Sequence, residues 1–438
     1  MRVGLQLRET GCRTVVLEGR TVLAAAREVE AARLSDALDS SFSALRREFG
    51  SDIEEITADV GRVLEQRQLG KVLAVRISPR PPADAFHATV LPAQVEPALT
   101  QVVHVTGGHD LRGRPLARLD LEGFLADLPA LLASDVRNVA ITSVGSTASK
   151  DHETRIADAI LSLDSEMRIS ISSDFFSSVF RDRDYTAILN SSLMESGEEL
   201  VAMLETASRR YFPQALLSFA KNDGGRSPLP WLTAVPVHGL RAETAMGLLG
   251  AATLAGVPEG EVILSTDAGV GVGRTRKGLP VTRSLISQGF EAGLASNSAI
   301  LEPFTVQHAI PVGIPSVIVD LRGIQQDPMP FGLVATLREK HIALVGSAVA
   351  PLTAWIDRLE TFNGPADLQR VQNQAEEDAR SAAVQLGVSP EQAQIIESNV
   401  FALPYGNPGI VRVRVQAAGD RSTNTEKVLP LHRRREAS

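Results

Sequence analysis

The stretch Leu264-Ser265-Thr266-Asp267-Ala268-Gly269-Val270-Gly271 decides how this sequence is interpreted. It follows the apolar run Glu261–Leu264 and leads to a turn at Lys277–Pro280, so the pattern predicts a strand, a glycine-bearing bend and a second strand. Backbone N–H groups in such a bend can form a concavity that holds a phosphate. That chemistry also needs an acidic residue at the strand end to hold a metal, but Leu264 stands there, and Asp267 would repel phosphate. The sequence therefore predicts the scaffold of a nucleotide site without its working residues.

Motifs over most of the chain follow one family pattern. They are Val105–Asp110 with Gly113–Asp120, Ser143–Glu153, Thr186–Asn190, Ala220–Gly224, Pro236–Gly256, Ala343–Arg358, and Pro404-Tyr405 with Val411–Val415. These segments resemble the A subunits of the hydantoinase/oxoprolinase family. The resemblance implies an α/β, two-lobed architecture of the actin/sugar-kinase/Hsp70-like (ribonuclease-H-like) type. Because the segment between Pro280 and Ala343 is much shorter than is usual in that family, a shortened second lobe is expected.

The resemblance also implies two ATP loops, and both are degenerate in this sequence. Family members open with a pattern like V-D-V-G-G-T-x-T-D and repeat D-I-G-G-T-T-T-D midway. The first pattern falls on Gln6–Arg13, where only Thr10 is kept, and the second falls on Leu264–Gly271; a slip of three residues would make Asp267 the leading aspartate instead. The degenerate loop positions are Gln6, Arg8, Glu9, Thr10, Arg13, Leu264, Asp267, Gly269 and Gly271. We therefore expect no cofactor, with ATP and magnesium binding lost, and no metal site.

Composition indicates a large globular protein. The chain has 438 residues, 44% of them hydrophobic and 22% charged, which is enough for a sizeable core. A net charge of −8 argues against a general nucleic-acid binder, since such surfaces neutralise phosphates with clustered basic residues. The single cysteine, Cys12, excludes an internal disulfide framework, and a buried packing role is expected for it. With no apolar run long enough to span a membrane, a cytoplasmic location is expected.

Strands and helices are predicted to alternate through the first half of the chain. Strands are expected at 102–106, 136–143, 167–172 and 216–219, and helices at 119–133 and 152–163. This alternation is typical of a parallel sheet with crossover helices. The hairpins at residues 3–17 and 261–276 indicate one lobe design used twice. We expect an N-terminal family region at 1–195, a truncated core at 196–363, and a helix and half-buried strand at 364–438.

Two groups of polar residues at strand ends are the candidate site. His109 and Asp110 follow two glycines, and a histidine beside a carboxylate can transfer protons near neutral pH. Lys221, Asn222, Asp223 and Gly224 also end a strand, where open α/β sheets bind ligands. The catalytic candidates are His109, Asp110 and Asp223, and the substrate-binding candidates are Lys221, Asn222 and Gly224. For each group a hydrogen-bonded turn is the alternative. His152-Glu153 is expected only to open a helix, with Glu153 favourable to its dipole.

Three functions remain open. The first is a non-catalytic, structural or regulatory subunit in a hetero-oligomeric cyclic-amide hydrolase or carboxylase-type complex, since family members work beside B-type subunits. Its partner would be a hydantoinase B-like or another A-like subunit. The second is an ATP-independent amide-hydrolase-like enzyme that uses His109, Asp110 and Asp223, and the third is a small-molecule binding protein. Replacement of the phosphate-contacting motifs favours the non-catalytic subunit. We expect neither a nucleic acid nor a membrane as partner.

Overall fold

The structure is a computed structural model, and it describes residues 1–80, 95–132, 136–266, 269–284, 293–304, 314–321, 333–403 and 409–421. Asp267 and Pro404-Tyr405 lie outside the described residues. The helices are α1 Leu34–Phe49, α2 Gly61–Gln66, α3 Leu121–Leu132, α4 Asp151–Leu163, α5 Phe180–Tyr211, α6 Ala242–Ala255, α7 Ile342–Val349 and α8 Pro365–Gln385. No helix within the described residues is both long and apolar enough to cross a membrane.

The strands fall into several sheets. The first eleven are β1 Arg2–Arg8, β2 Gly11–Glu18, β3 Thr21–Glu30, β4 Glu55–Asp59, β5 Val72–Ser78, β6 Leu99–Thr106, β7 Asn138–Ser143, β8 Arg168–Ile171, β9 Leu216–Ala220, β10 Arg226–Pro228 and β11 Gly260–Thr266. The others are β12 Gly269–Arg276, β13 Leu279–Pro280, β14 Thr282–Arg283, β15 Ser298–Ala299, β16 Glu302–Pro303, β17 Ser316–Asp320, β18 Leu333–Leu337, β19 Leu352–Thr361, β20 Gln394–Ala402 and β21 Ile410–Gly419. The alternation expected between 102 and 219 is confirmed to within a few residues.

One strand order occurs twice. The largest sheet runs β20-β21-β19-β10-β9-β4-β1-β2-β3, and the second main sheet runs β13-β12-β11-β17-β18. In each, a central strand pairs antiparallel with the next strand of the chain and parallel with a later one: β1 with β2 and β4, and β11 with β12 and β17. The duplicated, ribonuclease-H-like lobe design is therefore confirmed, and the second lobe keeps all five strands of the order.

The two lobes meet through closely packed helices. A Cβ at Gly346 of α7 would lie 1.9 Å from the Met246 carbonyl oxygen of α6, and a Cβ at Gly250 of α6 would lie 1.9 Å from the Ile342 oxygen. A Cβ at Gly4 in β1 would lie 2.0 Å from the Leu344 oxygen. Glycine at these three positions lets α7 pack directly against both α6 and the central strand of the first lobe.

The chain segment between β4 and β9 forms a separate parallel sheet in the first lobe. Its order is β6-β5-β7-β8, and every pair is parallel. Its core contains Leu73, Val75 and Ile77 of β5 and Val139 and Ile141 of β7, none more than 1% exposed. Strands buried on both faces read as continuous apolar runs, which is why these segments stand out in the sequence.

The packing does not follow the expected sequence regions. The boundary between 195 and 196 falls inside the continuous helix α5, and the boundary between 363 and 364 separates β19 from its antiparallel partner β21. Family regions follow motifs along the chain, whereas sheets join distant segments, so the two divisions differ. β21 is also more buried than expected, because it lies between β19 and β20; Arg414 in it is only 6% exposed.

Candidate functional site

The first hairpin holds its polar residues in contacts within the protein. Gln6 lies beside Asp59 in the parallel register of β1 and β4, and its side-chain amide donates to the Asp59 carboxylate at 3.4 Å. Arg8 pairs with Glu28, and Arg13 lies 3.9 Å from the same carboxylate. The turn residues Glu9 and Thr10 are exposed, and Glu9 borders a groove of about 480 Å³.

The second hairpin places apolar contacts where a metal anchor is required. Leu264 is 7% exposed and belongs to a core cluster with Val262 and Val319. Its partner across the hairpin is Gly271, where a Cβ would lie 2.6 Å from Leu301. Gly269 has a φ of 130° and open space around it, so the bend keeps a glycine conformation. Asp267, the anchor in the slipped register, lies outside the described residues.

Asp59, at the end of β4, is an acidic residue that adjoins Gln6, the expected metal position of the first hairpin. It is 3% exposed and accepts the Gly61 N–H at 3.1 Å. Burial raises the pKa of its carboxyl to about 6, and its second oxygen accepts from the Gln6 amide, so both oxygens already have partners inside the protein. The residues at Gln6, Asp59 and Leu264 therefore fit Mg-ATP poorly.

The Lys221–Asp223 group is enclosed rather than open. One oxygen of Asp223 accepts from Lys221 at 3.1 Å, Thr353 at 2.8 Å and Trp355 at 2.8 Å, while the other accepts the Gly225 N–H at 2.8 Å. Burial alone would raise the pKa of this carboxyl, but the Lys221 ammonium and the hydrogen bonds hold it below its usual value. Asp223 is 2% exposed, and its acceptor capacity is used inside the protein.

The other two residues of this turn connect elements. The Asn222 amide donates to Ser296 at 2.9 Å, and its backbone oxygen accepts the Ala299 N–H, which ties β9 to the second lobe. Gly224 has a φ of 89°, and a Cβ there would lie 2.4 Å from Pro280. The turn alternative therefore describes the Lys221–Gly224 contacts well, and the binding roles stay predictions.

His109 and Asp110 diverge at the end of β6. Asp110 closes a turn, because its carboxylate accepts the Arg112 and Arg114 N–H groups at 2.8 and 2.9 Å and the Arg114 guanidinium at 2.7 Å. His109 points elsewhere: it is 3% exposed, its ring lies 4.1 Å from that of His152, and its Nδ1 has no partner in the described structure. No contact in the described residues joins either of them to Asp223.

Sequence reasoning missed the partnership between His109 and His152. Possible ligand atoms of His109, Asp151 and His152 all lie within 4.8 Å of one another. Burial lowers the pKa of both histidines, and their closeness lowers that of His152 further. The sequence predicts that Glu153 acts on the helix dipole, but its side chain turns inward and accepts from the Ser143 N–H, the Ser172 hydroxyl and the Ser173 N–H.

A metal ion does not fit this cluster well. The Gly108 N–H donates to Nδ1 of His152 at 2.9 Å, so the proton of the neutral ring sits on Nε2. A metal-bound histidine has the opposite arrangement, with its second nitrogen donating a hydrogen bond. Two imidazoles on one tetrahedral zinc would also place their centroids about 5 Å apart, more than the 4.1 Å between these rings.

Two titratable residues that are not site candidates in the sequence lie near the histidine pair and the Lys221–Asp223 group: Asp174 near Lys150, and His238 near Lys221. Desolvation raises the pKa of Asp174 to about 6, against the opposing charge of Lys150, although its side chain keeps an exposed face. Burial lowers the pKa of His238 to about 4, and the Lys221 ammonium adds to this. Phe175 makes an edge contact with the His238 ring at 6.1 Å.

Comparison with known proteins agrees with the fold described above. Residues 66–163 match the model of the hydantoinase/oxoprolinase N-terminal region. The nucleotide-free structure of acetone carboxylase, from work on ATP-dependent acetone carboxylation, superposes with a TM-score of 0.64 at 11% identity, covering 95% of this chain and 87% of that one. ATP-dependent caprolactamase from Pseudomonas jessenii gives a TM-score of 0.64 at 10% identity, covering 98% and 89%. No curated protein matches by sequence. The resemblance to the family and the fold class are confirmed.

Proposed function

We propose that this chain, a relative of the hydantoinase/oxoprolinase family, is a non-catalytic A-like subunit that no longer binds Mg-ATP. It works in the cytoplasm beside a B-like or second A-like subunit in a complex that acts on cyclic amides or related substrates. The family relation, which includes the match at residues 66–163, supports the kind of complex. The contacts of the two hairpins support the loss of nucleotide binding.

The observation that carries the proposal is the replacement of both metal positions. Gln6 is neutral and is hydrogen-bonded to Asp59, and Leu264 is packed in a core cluster. Glu9 adds repulsion, but in an exposed turn one unit charge about 4 Å from a phosphate charge costs only about 1 kcal/mol. The missing metal ligands therefore weigh more than the added charge.

The enzyme hypothesis has weaker support. It needs strand-end acids that can reach a substrate, whereas Asp223 has four donors and Asp110 has three. Only His109 among the three catalytic candidates keeps a ring nitrogen without a partner in the described structure. His109 and its neighbour His152 are by themselves a poor basis for amide hydrolysis, because the reaction also needs a nucleophile and oxyanion stabilisation.

The nucleotide part is tested by titrating the purified chain with ATP and magnesium in a calorimeter. We expect no site tighter than about 1 mM, which corresponds to roughly −4 kcal/mol. The double variant Arg8→Gly/Glu9→Gly restores the glycine pair but not the metal ligands, so it should bind no better. A micromolar, magnesium-dependent isotherm for either protein would overturn the proposal.

The subunit part is tested by co-expression with a B-like protein and native mass spectrometry of the purified species. A stable complex is expected, and its turnover should be unchanged by His109→Ala. Absence of any complex overturns the subunit role. A roughly hundredfold loss of turnover in an intact complex, about 2.7 kcal/mol of transition-state stabilisation, would favour the enzyme hypothesis instead.

A further inference from the structure

The parallel sheet of the first lobe has the topology of a ligand-binding sheet. The chain enters at β5, adds β6 on one side and then crosses to add β7 and β8 on the other. In open α/β sheets of this order, ligands bind outside the carboxyl ends of the strands where the chain changes direction, here between β5 and β7. The loop after β6 reaches the same place, because the His109 N–H donates to the Val144 oxygen.

Helix α4 begins at this edge with unused donors. Its N-cap residue, Lys150, makes no side-chain capping bond. The N–H groups of His152 and Glu153 are in the first turn, where a helix offers no acceptor of its own, and none is found for them among the described residues. Such a turn attracts anions through its free N–H groups and the helix dipole.

The two histidines add directed groups to that turn. Because Nδ1 of His152 accepts the Gly108 N–H, its Nε2–H is a donor with a fixed direction. His109 is 97% buried and its Nδ1 is unpartnered, which is costly unless a ligand or water satisfies it. Helix terminus and buried histidine therefore point independently to a polar occupant.

The charge around the cluster favours an anion. Residues 109–118 and 150–155 contain five basic and three acidic residues, and Asp174 beside Lys150 adds one more acid, in a chain whose net charge is −8. One of the acids, Glu153, is fully buried, and another, Asp110, is bound to Arg114. The third, Asp151, lies 3.8 Å from Arg155, so its carboxylate has a cationic partner beside the cluster.

We propose that the first turn of α4, with His109 and His152, binds a tetrahedral oxyanion, either free phosphate or the phosphate group of a small ligand. The anion would accept from the His152 Nε2–H, from His109 with its proton on Nδ1, and from the free N–H groups, with Lys150 as counter-charge. Asp151 would oppose it and turn toward Arg155. This site is separate from the two hairpins, so its failure would leave the loss of Mg-ATP binding untouched.

The first experiment titrates the full chain with sulfate in a calorimeter, since sulfate keeps its charge near neutral pH. Sulfate and inorganic phosphate should bind with a Kd near 1 mM, and acetate at equal ionic strength should bind more weakly. A phosphate monoester such as glycerol phosphate that binds at least tenfold tighter assigns the site to a phosphorylated ligand; equal affinities assign it to free phosphate. No saturation by any of the tetrahedral anions overturns the proposal.

Variants locate the binding. His152→Ala should weaken sulfate binding roughly tenfold, as expected for loss of a hydrogen bond to a charged group. Lys150→Ala, at an exposed position, should weaken it severalfold and serves if His152→Ala does not fold. Asp151→Asn should tighten binding, whereas Asp158→Asn, the same charge change about 10 Å further along α4, should not. Equal effects of the two asparagine variants would show a general charge effect and refute the site.

Discussion

Replacing Asp59 by asparagine should make the protein more stable at neutral pH. Asp59 lies at the end of β4, accepts the Gly61 N–H at one oxygen and the Gln6 amide at the other, and is 3% exposed. Burial raises the pKa of its carboxyl from the ordinary 3.8 to about 6, and the Glu243 carboxylate adds to that rise. The folded protein therefore holds this carboxyl at a cost whenever it is charged.

The sign and size follow from the two pKa values. Between pH 3.8 and about 6 the folded state keeps the proton that the unfolded state has lost, so the free energy of unfolding falls as pH rises through that window. Below this pH window both states are protonated, and Asp59 does not lower the free energy of unfolding. Above the window the free energy of unfolding stays reduced by the full amount. A difference of about two pKa units corresponds to roughly 3 kcal/mol. Asparagine stays neutral, keeps an acceptor for Gly61, and can meet a reoriented Gln6 amide.

Urea unfolding from pH 4 to pH 8 measures this effect. The free energy of unfolding of the Asp59→Asn variant should exceed that of the wild type by roughly 3 kcal/mol at pH 8 and match it near pH 4. Asp52→Asn, which changes an exposed carboxylate in the same lobe, is the control. Its difference from the wild type in free energy of unfolding should not change between pH 4 and pH 8. A variant that is less stable than wild type at pH 8 refutes the reasoning. If millimolar magnesium stabilised only the wild type, Asp59 would be a metal anchor, and the proposed loss of the nucleotide site would fail with it.

Two further stability predictions concern contacts that the sequence does not reveal. Asp223→Ala should cost at least about 3 kcal/mol in urea unfolding, because Lys221, only 7% exposed, loses its buried anion; the same change at Asp110 should cost far less, and equal losses would contradict this account. Gly346→Ala should destabilise by more than about 1 kcal/mol, since its Cβ would lie 1.9 Å from the Met246 oxygen. Gly247→Ala in α6 is its control: its Cβ would lie 3.7 Å from Leu264, so it should be neutral or stabilising, and a matching loss would disprove the clash.

Local pattern was enough to predict the elements between residues 102 and 219, because strands such as β7 have an apolar centre, Val139–Ile141, followed by turn residues. It did not predict α1, β3, β4 or β5. The sheet order was only implied by the family resemblance. β4 pairs with β9, although the whole segment that forms the parallel sheet separates them in sequence. No local signal in Glu55–Asp59 or Leu216–Ala220 specifies that partner. The expected boundary near 195 fell inside α5 for the same reason: motifs are local and packing is not.

The candidate site was predictable in position but not in chemistry. The strand-end locations of His109 and Asp223 follow from glycine and turn residues after apolar runs. Which side chains remain available depends on distant partners: Thr353 and Trp355 occupy Asp223, while nothing in the described structure occupies Nδ1 of His109. The closeness of His109 and His152 depends on β6 and β7 flanking β5, which the sequence does not display.

If nucleotide binding is lost as proposed, both hairpins are still expected to persist, because their strands are the centre of each lobe. Val3, Leu5 and Leu7 of β1 are fully buried, and β1 joins β2 to β4 as the central strand of the five-strand order β3-β2-β1-β4-β9. β11 has the same place between β12 and β17 in the second lobe. Changing these strands would open the core, at several kcal/mol for each large side chain removed. The turn residues Glu9 and Thr10 are exposed and can change at little cost, so folding constrains the strands of the first hairpin more strongly than its turn.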